Sequence, residues 1–352
     1  MEKYNVIGVM SGSSLDGLDV AFCELTQENN TWNAKILHAE TYSYNNSLIE
    51  LLTSASSLDG INLMKLHREF GIYIGKIVNH FMDNCPETPD YIASHGHTIF
   101  HQPDKGITFQ AGDGAYIAAE TGITTISDFR SLDVALGGQG APLVPIGDDF
   151  LFNEYDYCLN LGGIANVSFK ENHKRIAFDI CPVNIVLNML AKQAGKKYDK
   201  DGNIAKNGQL IVPLLNELNE LSFYKKSAPK SLGREWVESD FLPILNKYNG
   251  PVEDKMHTVV QHIAEQISKV TKSGVRKELF LTGGGTHNKF LVQQIRHITN
   301  HILIIPEDEI VDFKEALIFA LLGVLRFRRE TNCLASVTGA RRDSTGGIIH
   351  RV

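Results

Sequence analysis

The sequence predicts an α/β protein with two domains. Strand-like and helix-like segments alternate along its 352 residues, which is typical of α/β folds. A strand–glycine loop–strand unit near the N-terminus recurs on a weaker match in the middle of the chain, at residues 4–25 and 157–169. This repetition indicates a duplicated architecture with one phosphate loop in each half. A chain of this length also favours two domains.

The predicted elements of the N-terminal part are mostly strands. Residues 4–10, 17–25, 35–43 and 91–94 have the β-branched and aromatic content of strands. Residues 61–82 form a predicted amphipathic helix. Its apolar residues recur at helical spacing and are Leu66, Phe70, Tyr73, Ile77 and Phe81.

The predicted elements of the C-terminal part alternate more regularly. Strands are expected within 157–169 and at 175–180 and 278–282, and helices at 183–194, 252–271, 287–298 and 313–329. The glycine-rich segment 137–145 marks a crossing between domains. We therefore expect an N-terminal lobe at 1–131, with the tail 335–352 as a candidate addition to it, and a C-terminal lobe at 132–334.

Composition restricts the class of protein. A net charge of −7 argues against a nucleic-acid partner, which needs clustered basic residues. The odd, scattered cysteines without a C-x-x-C pair favour a reducing compartment over disulfides or a zinc site; they are Cys23, Cys85, Cys158, Cys181 and Cys333. The chain has no signal-peptide pattern and no apolar run of the ~18 residues that a membrane span requires. We expect a cytoplasmic protein without a membrane partner.

The first glycine loop carries the strongest chemical signal. It consists of Gly12, Ser13, Ser14, Leu15, Asp16, Gly17, Leu18 and Asp19. Its glycines allow backbone N–H groups to approach a phosphate chain, and its serines add hydroxyl donors. Asp16 and Asp19 are candidates to hold Mg²⁺ or to orient a substrate hydroxyl. An ordinary polar hairpin turn is the alternative interpretation.

Two later glycine loops repeat this chemistry. Asn160, Gly162 and Gly163 lie between two predicted strands, and Gly283, Gly284 and Gly285 lie between a strand and a helix. Such turns bring backbone close to phosphate oxygens or a flat ligand. Neither the Rossmann spacing nor the P-loop pattern occurs, so an ATP enzyme with this sequence uses another phosphate-binding solution.

Asp179 ends a predicted buried strand, where reduced solvation raises a carboxyl pKa as a general base requires. The alternative is an aspartate that caps the following helix, with Pro182 in its first turn.

Histidines at 95, 97, 101 and 287 and two arginines are further candidates. His95 and His97 suggest a metal, but no third ligand is apparent, and a polar loop that contacts substrate is the other interpretation. Arg130 and Arg234 are candidates to bind a carboxylate or phosphate, or to form surface ion pairs.

Eight segments occur in a characteristic order: Gly8–Ala21, His95–Pro103, Ser127–Arg130, Gly137–Pro145, Leu159–Ser168, Pro229–Glu235, Thr282–Asn288 and Lys314–Ala320. Together they resemble the anhydro-N-acetylmuramic acid kinases nearly end to end. The resemblance implies a two-domain actin/hexokinase-like (ribonuclease H-like) fold with an ATP cleft between the lobes. It also implies an ATP- and Mg²⁺-dependent reaction of cell-wall recycling. In it, water opens the 1,6-anhydro ring and the freed O6 receives the γ-phosphate, giving N-acetylmuramic acid 6-phosphate.

The resemblance also assigns roles to residues. It implies that the first loop binds ATP and that Asp179 deprotonates the attacking water, and of the loop's two acids we expect Asp16 at the metal. Glu315 would face the sugar, and Arg130 would stand near Asp179 and keep it ionised. His95, His97 and Asn184 would contact substrate, and the protein would be a homodimer.

Several residues depart from the family pattern. The usual Phe-Asp-Thr-Gly-Pro-Gly-Asn contains Cys181 and Val183 here, His97 replaces a usual glutamine, and Ser13 replaces a usual threonine. Because valine adopts a positive φ only at a cost, we expect an altered backbone beside Asp179. The alternatives are a kinase of the same fold acting on another amino sugar, or a sugar-sensing protein without catalysis.

Overall fold

Two β-sheets organise the part of the chain that the structure describes. The structure is a computed structural model, and it describes residues 2–12, 15–228 and 230–352. The chain divides into a first unit, Met1–Asn153 with Phe313–Val352, and a second unit, Glu154–Asp312. Each unit contains one of the sheets, which confirms the predicted α/β class.

The strands lie in the following order along the chain: β1 Glu2–Ser11, β2 Leu18–Glu28, β3 Thr31–Tyr42, β4 Tyr91–Gln102, β5 Ile107–Ala111, β6 Thr125–Ser127, β7 Tyr157–Leu161, β8 Ile164–Glu171, β9 Lys174–Pro182, β10 Glu278–Thr282, β11 Ile302–Ile304 and β12 Ile348–His350. The sheet of the first unit has the order β12-β6-β4-β1-β2-β3, with β5 paired to β4. The sheet of the second unit has the order β11-β10-β7-β8-β9.

The two sheets share one plan. In the first unit β1, β2 and β3 are antiparallel neighbours, while β1, β4 and β6 pair in parallel. In the second unit β7, β8 and β9 are antiparallel neighbours, while β7, β10 and β11 pair in parallel. The same strand order and directions therefore occur twice, as the repeated glycine hairpins predicted.

Fourteen α-helices lie in the described residues. They are α1 Asn46–Ser54, α2 Gly60–Met82, α3 Gly114–Thr121, α4 Ser131–Ala135, α5 Val144–Leu151, α6 Asn184–Gln193, α7 Asn203–Asn207, α8 Val212–Asn219, α9 Arg234–Trp236, α10 Leu242–Lys247, α11 Val252–Val270, α12 Lys289–Thr299, α13 Asp308–Arg328 and α14 Ala335–Thr338.

Helices α2 and α11 supply apolar faces to the two cores. The Asp59 side chain caps α2 by accepting a hydrogen bond of 2.9 Å from the Asn62 amide, as short polar residues do at helix starts. Leu66 and Phe70 of α2 pack with residues of β1 and β2 in the first core. Met256 and Ile263 of α11 lie in the second core. The predicted helical spacing thus coincides with the buried faces.

The limits of the units differ from the lobe boundaries expected at 131/132 and 334/335. Helix α5 packs against β3, and a side chain at Gly147 would clash with Ile318. Buried Lys314 and Asp148 form an ion pair of 2.6 Å. These contacts join residues 132–153 and the chain from Phe313 onward to the first unit. Within the tail, β12 completes the first sheet by pairing with β6.

Strand β4 is longer than the sequence indicates. The expectation of a polar loop at His95 and His97 is wrong, because β4 continues to Gln102 and pairs with β5. Gly96 has φ +72°, and any side chain there would collide with the Ala111 carbonyl of β5. The glycine therefore permits the hairpin, and both histidines become buried strand residues.

None of the helices in the described ranges is both long enough and apolar enough to cross a membrane.

Helix α13 lies directly against β1, and this contact depends on Gly8. A Cβ atom at Gly8 would overlap the carbonyl oxygen of Ala316. We predict that Gly8→Ala lowers the free energy of unfolding of the first unit by about 1–3 kcal/mol or more, the usual scale of core overpacking. Thermal unfolding of the full chain measures the effect.

Gly60→Ala is the matched control, because no heavy atom lies within 4 Å of its added Cβ position. A helical alanine there should be neutral or stabilise by about 0.5–1 kcal/mol. Equal unfolding temperatures for Gly8→Ala and the wild-type chain would contradict the proposed packing constraint.

Candidate functional site

The second and third glycine loops meet at one edge of the second sheet. Strands β7 and β10 pair in parallel with Asn160 opposite Thr282, so the loops that follow both strands emerge side by side. Gly283 has φ +83°, and a Cβ there would overlap the Asn160 side-chain oxygen. At Gly285 a Cβ would lie 2.7 Å from the Leu161 Cβ. These predicted residues form one cluster of closely packed backbone, which we call the second-unit glycine cluster; it comprises Asn160, Gly162, Gly163, Gly283, Gly284 and Gly285.

Helix α6 is fastened to this cluster. The amides of Val183 and Asn184 donate hydrogen bonds to the carbonyls of Gly163 (2.8 Å) and Gly162 (3.2 Å). The Asn184 side chain donates to the Leu161 carbonyl at 3.1 Å. The glycine carbonyls therefore satisfy the start of α6. Open space remains at the exposed Gly163 and Gly284, where a ligand can approach the backbone.

Asp179 is held by the segment that precedes α9. Its carboxylate accepts a hydrogen bond of 2.8 Å from the Leu232 amide, and its own amide donates to the Lys230 carbonyl at 3.1 Å. Burial raises the pKa of Asp179 to about 6, and the Leu232 N–H partly opposes that rise.

The helix-cap interpretation of Asp179 is wrong. Helix α6 begins after Val183 and has no side-chain cap. Ile180 is an extra residue in β9, because Cys181 pairs with Ala165 while Asp179 pairs with Asn166. Such a bulge re-aims the neighbouring side chain, and it leaves Asp179 in the strand rather than at the helix start.

The two unusual residues near Asp179 belong to the core of the second unit. Cys181 and Val183 are fully buried. Val183 has φ −125° and ψ −96°, so it lies outside the positive-φ region that would strain a valine. The expected difference in backbone shape beside Asp179 stays a prediction.

The first glycine loop follows β1 in the first unit. Ser13 and Ser14 lie outside the described residues. Leu15 has φ +58° and donates its amide to the Gly12 carbonyl at 3.2 Å. A Cβ at Gly17 would lie 2.7 Å from the Tyr42 carbonyl oxygen, so glycine is required where the loop passes β3.

The acidic residues of this loop differ in their surroundings. Asp16 is exposed, whereas Asp19 accepts a hydrogen bond of 2.6 Å from the Thr41 hydroxyl. Leu18 is fully buried, so its side chain belongs to the core. Asp16 is therefore the more accessible candidate for a cation.

His97 anchors the start of the first loop. Its Nδ1 lies 2.9 Å from the Ser11 hydroxyl, which also accepts a hydrogen bond of 2.7 Å from Tyr44. Burial lowers the pKa of His97 to about 4, so the ring is neutral at physiological pH. Sequence reasoning missed Ser11, although it directly precedes Gly12, and missed Tyr44, which stands outside every motif.

Arg130 is the centre of a charged cluster in the first unit. Its Nε–H donates to His95 Nε2 at 2.9 Å, and the other ring nitrogen of His95 donates to the Gly96 carbonyl at 2.8 Å. Burial lowers the pKa of Arg130 to about 10, while Glu315 opposes that fall. Burial likewise raises the pKa of Glu315, with Arg130 lowering it and Asp19 raising it further. The structure thus brings Asp19, His95, Arg130 and Glu315 together.

Asp133 supports Arg130 and was missed by sequence reasoning. This buried carboxylate accepts hydrogen bonds from the Gly140 amide and the Thr338 hydroxyl, both at 2.7 Å, and from the Cys333 thiol at 3.1 Å. The Gly140 carbonyl in turn accepts from the Arg130 guanidinium. The only sequence signal was its place three residues after Arg130.

The remaining candidates have structural partners. Arg234 forms an exposed ion pair of 2.8 Å with Glu238, which is the surface interpretation left open by the sequence. Within the described ranges, no group of three or more His, Cys, Asp or Glu side chains could hold a metal, and all five cysteines are free thiols.

Comparison with known proteins assigns the class. A family model described as anhydro-N-acetylmuramic acid kinase matches residues 4–351. The chain is 36% identical to the protein of that name from Francisella tularensis subsp. novicida, over 97% of each chain. It is 35% identical to the one from Aliivibrio fischeri, over 99% of each chain.

The chain therefore belongs to the anhydro-N-acetylmuramic acid kinase family. The predicted family and the predicted class of enzyme, an ATP-dependent carbohydrate kinase, are confirmed.

Likeness to solved structures is more distant. An activator of 2-hydroxyisocaproyl-CoA dehydratase from Clostridium difficile, with bound ADPNP, is 18% identical with a TM-score of 0.44 and covers 90% of this chain and 93% of its own. A ROK-family glucokinase from Streptomyces griseus, in complex with glucose and AMPPNP, is 11% identical with a TM-score of 0.41 and covers 90% and 97%.

We predict that Asp133→Asn destabilises the protein by about 1–3 kcal/mol. The substitution replaces one carboxylate oxygen, which accepts hydrogen bonds, with an NH₂ group, which would face a hydrogen-bond donor. Thermal unfolding measures the loss, and Asp104→Asn, at an exposed residue, is the control. An unchanged unfolding temperature for Asp133→Asn would show that its hydrogen bonds do not hold this region.

Proposed function

We propose that this protein opens 1,6-anhydro-N-acetylmuramic acid with water and phosphorylates its O6 with ATP. The product is N-acetylmuramic acid 6-phosphate, and the role is the recycling of peptidoglycan. The observation that carries the proposal is Asp179, a partly buried carboxylate with a pKa of about 6, in a chain that matches this family over nearly its whole length.

Asp179 serves as the general base. At neutral pH a group with this pKa is largely ionised yet basic enough to accept a proton. It takes a proton from the water that attacks C1, and the bond from C1 to the bridging oxygen breaks. The freed O6 attacks the γ-phosphorus of ATP, and ADP leaves. The Leu232 amide, 2.8 Å from one carboxylate oxygen, fixes the orientation of the base.

The glycine loops bind the nucleotide. The first loop, Gly12–Asp19, and the second-unit glycine cluster are the proposed binding elements, because N–H groups at their glycines have no side chain beside them, which suits phosphate oxygens. Asp16 would hold Mg²⁺, because this ion needs only one or two carboxylates beside phosphate oxygens and water. Bound there, the ion would neutralise charge on the transferred phosphoryl group.

Arg130 and Glu315 are proposed to act on the sugar, with His95, His97 and Asn184. The guanidinium of Arg130 is fixed by His95 and Gly140, and fixed donors bind anionic or hydroxyl groups at little entropic cost. His95 and His97 act at least partly by holding Arg130 and Ser11. The expected influence of Arg130 on the ionisation of Asp179 stays a prediction.

A kinase acting on another amino sugar is the second candidate, because Cys181, Val183 and His97 replace usual family residues. A non-catalytic sugar sensor is the third. A coupled ADP-release assay separates them. Turnover with 1,6-anhydro-N-acetylmuramic acid supports the proposal, turnover with other amino sugars alone supports the second, and binding without turnover supports the third.

Placement in the cytoplasm and assembly as a homodimer also belong to the proposal. Free thiols at all five cysteines fit a reducing compartment. Size-exclusion chromatography with light scattering tests the dimer.

We predict that Asp179→Asn retains ATP binding and loses turnover by ~10²-fold or more, the usual scale for a lost general base. Asparagine preserves the shape but accepts no proton. Calorimetry measures binding, and ADP release measures kcat. Glu171→Gln, at an exposed acid of the same hairpin, should change neither; near-normal turnover in Asp179→Asn removes the assigned role.

We also predict an acidic limb in the pH dependence of kcat/KM. The pKa of Asp179, raised to about 6 by burial, means that the base is protonated below that pH. The rate should therefore fall about tenfold for each pH unit below the pKa and level off above it. A flat profile between about pH 5 and pH 7 would contradict base catalysis by this residue.

A further inference from the structure

A cavity of about 250 Å³ lies in the second unit beside Asp179 but does not include it. Phe178 and Ile180, the neighbours of Asp179 in β9, form part of its wall. Residues from the segment 224–230 and from α11 form the rest. No role in the proposed reaction uses this cavity.

Three lysines give the lining of the cavity an excess of positive charge. Lys226, Lys230 and Lys269 line it, and none of its lining residues is acidic. Among the described residues no carboxylate pairs with these lysines. The acids close by have other partners, since Glu220 pairs with Lys225 at 2.7 Å and Glu265 accepts from Asn219 at 2.7 Å. Glu220 also interacts electrostatically with Lys269, so the cavity carries a net positive charge that is offset in part at Lys269.

Lys230 is fixed between aromatic rings. Its ammonium lies 4.7 Å from the ring centre of Phe223 and 5.7 Å from that of Phe178. Among the described residues its hydrogen-bond partner is the Phe223 carbonyl, at a long 3.4 Å, so an ammonium with three donors has capacity for another acceptor. Burial lowers the pKa of Lys230, Cys181 opposes that fall, and Lys226 adds to it, as expected for like charges that face one space.

The inner wall of the cavity is rigid. The Tyr224 hydroxyl and the Asn219 side chain bind the two ring nitrogens of His262 at 2.9 and 2.8 Å. The Gln266 side chain donates to Asn219 at 2.6 Å. Burial lowers the pKa of His262 to about 3, so this ring is neutral. A satisfied polar network of this kind holds Tyr224 and Gln266, which both line the cavity, in fixed positions.

We propose that this cavity is a binding site for a small oxyanion, either inorganic phosphate or the phosphate group of a phosphomonoester. Ammonium groups are common phosphate partners, and the volume is close to that of the smallest ligand pockets. The aromatic wall formed by Phe178 and Tyr224 suits the carbon skeleton of a monoester.

Binding here reaches Asp179 through the backbone. The Lys230 carbonyl accepts a hydrogen bond from the Asp179 amide. The Leu232 amide, two residues further on, donates a hydrogen bond to the Asp179 carboxylate. An anion that draws the Lys230 side chain inward therefore acts on the segment that orients Asp179. This consequence for turnover rests on the proposed function, whereas binding itself does not.

Fluorescence of Trp236 provides a local readout of binding. Its ring centre lies 5.4 Å from that of Phe223 and 6.1 Å from that of Tyr224. The other tryptophan, Trp32, is in the first unit. We expect saturable changes in the Trp236 signal of the full chain when inorganic phosphate or N-acetylglucosamine 6-phosphate is added in the absence of nucleotide.

The decisive variant is Lys226→Gln/Lys269→Gln, since both side chains are exposed and their loss should leave the fold intact. We expect this variant to bind phosphate at least about tenfold more weakly, as loss of two charged contacts implies. Lys196→Gln/Lys206→Gln removes the same charge from exposed residues of the same unit outside the cavity and should bind as the wild type does.

The result that overturns the proposal is an equal affinity in both double variants and the wild type, or no saturable Trp236 signal at all. Phosphate binding by the Lys230→Met variant is a second measurement. It counts only if the far-UV spectrum of that variant shows a folded protein. Tighter binding of the monoester than of phosphate identifies a phosphomonoester site, and equal binding identifies a phosphate site. Since none of these measurements needs turnover, a failure of the proposed reaction is seen separately in the ADP-release assay.

Discussion

Parallel pairing of β1 with β4 and of β7 with β10 positions the residues around the glycine loops. Because β1 pairs with β4, the end of β1 lies beside the middle of β4, and because β7 pairs with β10, the loops that follow these two strands leave the sheet at the same end. Ser11 thereby meets His97 in the first unit, and Asn160 meets Gly283 in the second. Glycine is needed at these points because the neighbouring chain segment lies where a side chain would otherwise be.

Hydrogen-bond donors and nearby charges then distinguish three carboxylates of the protein. Asp133 accepts three hydrogen bonds and serves as a structural anchor. Asp179 accepts one hydrogen bond from a described amide, that of Leu232, so burial prevails and its pKa rises. Burial also raises the pKa of Glu315, and the Arg130 guanidinium opposes that rise. A carboxylate in this protein thus takes different roles according to how many hydrogen bonds it accepts and which charges lie near it.

The departures from the family pattern have different meanings in the structure. Cys181 and Val183 replace glycines but are fully buried in the core of the second unit, so they act through packing beside Asp179 rather than by direct contact with a ligand. His97 is buried as well and binds Ser11, which places its influence on the first glycine loop. An altered preference for the sugar would therefore arise from the shape of loops and strands around the ligand.

The sequence by itself determined the α/β class, the duplicated hairpins, the long helices and the family, because these depend on local periodicity, turn residues and ordered motifs. It also placed Asp179 and the glycine loops. It did not determine the extent of β4, whose last residues are stabilised by pairing with β5 rather than by their own pattern, or the limits of the units. The roles of Ser11, Tyr44 and Asp133 likewise required the tertiary structure. Their hydrogen bonds join residues far apart in the chain, as between Asp133 and Thr338, and burial sets the pKa values, so no local pattern records them.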